Sequence, residues 1–126
     1  MCSSDLLFII HANGQSCIEL GSEGTIDMFS TNSVNIRTQG DLNLHADNNV
    51  NIHAEKNINI NAKENLAITT GKEMAVRNGT DYKQYLLGKY AVRVNGPMSM
   101  GSSGDASYAS GATTYINGSK IGRAHV

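Results

Sequence analysis

Residues 33–72 read SVNIRTQG (33–40), DLNLHADN (41–48), NVNIHAEK (49–56), NININAKE (57–64) and NLAITTGK (65–72). The five octads align without a gap. The same frame extends backward through TIDMFSTN (25–32), CIELGSEG (17–24) and IIHANGQS (9–16), and forward through EMAVRNGT (73–80). Position two of the octad reads Ile10, Ile18, Ile26, Val34, Leu42, Val50, Ile58, Leu66 and Met74. Position four reads Ala12, Leu20, Met28, Ile36, Leu44, Ile52, Ile60, Ile68 and Val76. Such self-similarity at a fixed period is the mark of stacked identical units.

Within each octad the apolar residues stand two apart, the period of a β-strand. Position six continues that face with small residues, among them Ser22, Ser30, Thr38, Ala46, Ala54, Ala62 and Thr70. Positions seven and eight are polar or turn-prone, as in Gln39-Gly40, Asp47-Asn48 and Glu55-Lys56, and read as a corner. A helix is excluded: apolar residues at i and i+2, then none until i+8, make no stripe at 3.6 residues per turn.

A lone strand with one apolar face needs neighbours along its edges and walls over its face. Three walls make a triangular prism with a dry interior. The expected fold class is therefore all-β: an octad-repeat β-helix, or β-solenoid prism. The walls would be three successive octads of one chain, or octads of three chains. No 24-residue superperiod marks a first, second and third wall, and the inward residues are slim. Both points favour an intertwined homotrimer. Its structural core would be Ile18, Leu20, Ile26, Met28, Val34, Ile36, Leu42, Leu44, Val50, Ile52, Ile58, Ile60, Leu66, Ile68, Met74 and Val76. Position three (Asn35, Asn43, Asn51, Asn59) points outward, as solvated side chains or as a stacked amide ladder.

The frame continues past residue 80 with a weaker pattern. DYKQYLLG (81–88) and KYAVRVNG (89–96) put Tyr82, Gln84, Tyr90 and Val92 at the inward positions, and PMSMGSSG (97–104) puts Met98 and Met100 there. Gln84 is a polar intruder, and residues 101–113 are rich in Gly, Ser and Ala. The expected organisation is a regular octad β-helix over 7–80 and a looser continuation over 81–120. The terminal hexapeptides MCSSDL (1–6) and IGRAHV (121–126) match, on opposite strands, the translation of a standard sequencing adapter. They are expected to be artefacts and to be excluded from fold reasoning.

Composition narrows the function. The net charge is −1 with scattered cations, which leaves no electrostatic footprint for nucleic acid. No apolar run is long enough to span a bilayer as a helix. Cys17 alone remains once the leader hexapeptide is set aside, so no disulfide framework is expected. His45 and His53 share position five, with Asp47 and Glu55 two residues on. They offer a metal ladder on paper, but zinc needs three or four convergent ligands, so no metal site is assigned. No spaced carboxylate pair, phosphate loop or Ser/His/Asp set is present. No catalytic residue, cofactor or enzyme activity is expected in this segment.

The run SVNIRTQG-DLNLHADN-NVNIHAEK-NININAKE-NLAITTGK, with YAVRVNG and YINGSKI later, resembles the trimeric, triple-stranded β-helix of contractile-tail central spikes. These are the C-terminal spike of phage tail-associated lysozymes and the related VgrG-like proteins of type VI secretion. The resemblance covers nearly all of 9–120. It implies a needle-like, membrane-piercing spike segment of a phage baseplate or type VI-like contractile injection machine. It further implies a homotrimer attached to other baseplate or tube proteins, with transient contact with the target-cell envelope. The place implied is the virion tail baseplate or the secretion tip, with lysozyme or OB-fold domains upstream in the family. The competing expectation is a trimeric fibre or adhesin shaft with a receptor- or glycan-binding tip near 97–120, where Tyr108 and Tyr115 are the candidates. An ice-binding solenoid would want a flat outward Thr array, and Thr is scattered here.

Overall fold

A computed structural model describes residues 7–118. Both adapter-like hexapeptides lie outside the described residues. The chain is all-β, with no helix among the described residues. It divides into two units, Met1–Ile68 and Thr69–Val126.

The first unit opens with an antiparallel sheet of three strands in chain order: β1 (Leu7–Ile10), β2 (Ser16–Leu20) and β3 (Ile26–Ser30). Two tight reversals join them. In the first, the Gly14 amide donates to the His11 carbonyl at 2.8 Å; in the second, the Gly24 amide donates to the Gly21 carbonyl at 3.2 Å. Gly14 (φ 71°) and Gly24 (φ 84°) both take the left-handed conformation. A side chain there would be strained, which is why these reversals carry glycine.

The register of β2 and β3 pairs Ile18 with Met28 and Leu20 with Ile26. Positions two and four of adjacent octads thus share one face of the sheet. The β1–β2 register differs: Ile9, not Ile10, stands opposite Ile18, and Ile10 stands opposite Cys17. The connection from Ile10 to Cys17 is one residue longer than that from Leu20 to Ile26. A one-residue shift moves every side chain of a strand to the other face. Octad spacing alone assigned Ile10 to the inward row; the hairpin register gives that place to Ile9.

From residue 31 the architecture changes. Two-residue bends fall at 31–32, 39–40, 47–48, 55–56 and 63–64, then at 71–72, 79–80, 87–88, 95–96, 103–104 and 111–112. The bends are positions seven and eight of the octad, in both units and without a skipped beat. Between bends, six-residue segments run without pairing. Beyond the Thr31 amide, which donates to the Gln15 carbonyl at 2.8 Å, no backbone–backbone hydrogen bond forms among the described residues.

No residue is buried among those described. Apolar side chains are among the exposed ones: Leu44 is 75% exposed and Ile52 70%.

Candidate functional site

The site that the octads build is a row of side chains. Four side-chain pairs between residues 41 and 88 show which positions share a side. Gln84 Nε2 donates to the Tyr82 hydroxyl at 2.7 Å, joining positions two and four. Lys83 Nζ lies 3.4 Å from Asp81 Oδ2, joining positions one and three. His45 Nε2 lies 3.1 Å from Asp47 Oδ1, and His53 Nε2 lies 3.2 Å from Glu55 Oε1, joining positions five and seven. Every pair links residues two apart, the rhythm of extended chain with alternating sides. Even positions therefore form one side and odd positions the other.

The even side holds Val34, Ile36, Leu42, Leu44, Val50, Ile52, Ile58, Ile60, Leu66, Ile68, Met74 and Val76, all exposed in the single chain. Ile18, Leu20, Ile26 and Met28 share the corresponding face of the sheet. Covering each of these side chains would contribute about 1.5–3 kcal/mol. The row is a surface of large latent binding energy and no chemistry of its own.

The corners have their own local cause. The position-eight amide donates to the position-six hydroxyl in four octads: Asn32 to Ser30 (3.2 Å), Gly40 to Thr38 (3.1 Å), Gly104 to Ser102 (3.3 Å) and Ala112 to Ser110 (3.3 Å). Ser and Thr hydroxyls stabilise turns by this route. Sequence reasoning read position six as merely small. Its hydroxyl closes the bend, which the recurrence of Ser and Thr at that place signals.

On the odd side the histidine–carboxylate pairs are satisfied within their own octads. Both are highly solvent-exposed, and exposed pairs add little stability. No group of three metal-ligating side chains converges among the described residues. Asn35, Asn43, Asn51 and Asn59 are exposed, and their side chains make no hydrogen bond among the described residues. The half-buried Cys17 stands in register with Ile10 and Phe29. An open hollow of about 560 Å³ lies against the sheet, lined by the apolar Ile9, Ile10, Ile18, Met28, Phe29 and Val34 and by the polar His11, Ser16, Cys17, Ser30 and Ser33.

One feature of the odd side escaped the octad reading. Tyr85 and Leu87, at positions five and seven, are 87% and 111% exposed. Between residues 33 and 118 every other large apolar side chain except Tyr115 occupies an even position. Parity, applied to the outward positions as well as the inward ones, would have found them.

Comparison of the chain with protein-family models, curated proteins and solved structures finds no match.

Proposed function

We propose that the octad region is one strand-forming third of a three-chain, triangular β-helix, and that this prism is a needle-like, membrane-piercing spike segment of a contractile injection machine of phage-baseplate or type VI kind. One observation carries the reading. A bend recurs every eight residues from 31–32 to 111–112 while the segments between have an apolar side and no backbone partner. Unpaired backbone groups and exposed aliphatic rows are both costly, and one arrangement removes both costs. Copies of the chain would pair edge to edge and turn their even sides to a common axis.

The mechanical role follows from that arrangement. A prism paired between chains along its whole length has no part that opens alone, so it would bear axial force as a unit. The resemblance of the octads to contractile-tail spikes supplies the setting. The work would be done by the even row, and no catalytic group is needed.

The test is the native mass of the full chain by sedimentation or light scattering, with resistance to SDS checked on the same sample. An SDS-resistant trimer supports the prism. A stable monomer overturns it. A trimer that adsorbs to intact target cells, and loses that binding when the cells' surface proteins and glycans are stripped by protease and glycosidase, would favour the fibre-shaft reading over the spike.

A further inference from the structure

The charges of the chain are not spread evenly. From residue 72 to 93 five cations (Lys72, Arg77, Lys83, Lys89 and Arg93) face two carboxylates, Glu73 and Asp81. From residue 9 to 71 the balance is reversed, with three cations and seven carboxylates. In the basic stretch only Lys83 forms an ion pair among the described residues; Arg77, Lys89 and Arg93 form none. Arg77 and Arg93 occupy position five of their octads, the place that Tyr85 occupies in the octad between them. Tyr85 and Leu87 thus stand on the odd side, flanked along the chain by cations at the same or neighbouring odd positions.

The even-row apolar side chains have a destination in the prism. Tyr85 and Leu87 have none. Three observations converge within the second unit: exposed apolar side chains of the wrong parity, an aromatic with a polar tip, and unpaired cations at the same octad position one repeat before and one repeat after it. Amphipathic aromatics and Lys/Arg together favour the boundary between lipid headgroups and acyl chains. We propose that residues 77–93 form a basic, tyrosine-bearing collar that binds anionic lipid headgroups at a membrane surface. The partner is argued from charge complementarity: a net-basic band carrying a small apolar foot fits a negatively charged interface. The collar rests on the proposed prism for the outward direction of the odd side, and a trimer would present three copies of it.

The test is flotation of the full chain with phosphatidylcholine vesicles and with vesicles of phosphatidylcholine and phosphatidylglycerol. Native mass is measured on the same preparations. The collar predicts binding to the anionic vesicles alone, weakened by salt. Arg93→Gln should weaken that binding by about fivefold or more, since each cation near an anionic surface carries about that factor. Tyr85→Ser with Leu87→Ser should abolish it while the native mass is unchanged. Equal binding to both vesicle types, or wild-type binding by the Tyr85/Leu87 variant, overturns the collar. So does retention on a double-stranded oligonucleotide that the cation variant loses and the Tyr85/Leu87 variant keeps, which would mark a general polyanion surface. A monomeric mass overturns the prism instead, because mass and vesicle binding are read separately.

Discussion

Residues 7–30 and residues 33–118 share an octad spacing and reach opposite outcomes. The first stretch pairs with itself: Ile18 meets Met28 and Leu20 meets Ile26 across a hairpin. The second pairs with nothing among the described residues. Apolar content does not separate them, since both carry β-branched and aliphatic residues at positions two and four. The connections do. Gly14 and Gly24 adopt left-handed φ and reverse the chain. After Gly24 no described residue takes a positive φ, and the corners are shallow bends closed by a position-six hydroxyl. Strand pattern says that a segment will be extended; the corner decides whether it folds back on itself.

That contrast can be broken most severely at the even row. In the proposed prism Ile52→Asp would place one charge per chain on a dry axis, and an unpaired buried charge costs several kcal/mol. Assembly should be lost, as read by native mass, while the sheet of residues 7–30 keeps its amide protection from hydrogen exchange. Protection lost in both stretches together would show that the sheet is not independent of the octads.

Next in size is the reversal. Gly24→Ala should cost about 1–2 kcal/mol, because a Cβ at φ 84° meets the backbone of its own residue. Exchange protection should fall in β2 and β3, while the protection that the proposed prism would give the octads should persist. Gly88→Ala is the matched comparison. Its φ lies outside the left-handed region and an added Cβ meets nothing within 4 Å, so the melting temperature should barely move. Equal effects at the two glycines would remove the corner from the explanation.

Thr38→Val deletes a bend hydrogen bond while keeping the shape of the side chain. It should lower stability by about 1 kcal/mol per chain in denaturant melts, and Ala46→Ser should recover part of that loss by supplying a hydroxyl at the equivalent place. The smallest effect belongs to the odd side. Asn51→Asp should stay within about 0.5 kcal/mol. If it proves as harmful as Ile52→Asp, the assignment of sides is wrong.

Much of this was legible in the residues. The corner pairs Gln39-Gly40, Asp47-Asn48 and Glu55-Lys56 fall on bends, and the weak octads after residue 80 keep the same beat through Gly111 and Ala112. Period two and period eight survive in single-chain geometry because both are set locally, by strand alternation and turn chemistry. The fate of residues 7–30 was less legible. It depends on backbone angles at Gly14 and Gly24 and on one extra residue between Ile10 and Cys17, which an octad count absorbs as ordinary variation. The outward pair Tyr85 and Leu87 is masked for a different reason: the octad pattern is carried by the even positions, where the exception is the polar Gln84, and the structure pairs that residue with Tyr82.

The sheet of residues 7–30 also bears on how a repetitive chain finds its place among copies of itself. Octads as alike as NVNIHAEK and NININAKE would pair almost as well one repeat out of step as in step. In the proposed prism such a slip would leave an overhang but little local penalty, and it would be slow to anneal. Among the described residues, the hairpin meander is the one stretch that the octad translation does not reproduce. It closes within a single chain, through contacts near in sequence, and so can form before any partner arrives. In an assembly of three, aligned sheets would act as the starting mark from which the octads zip in step.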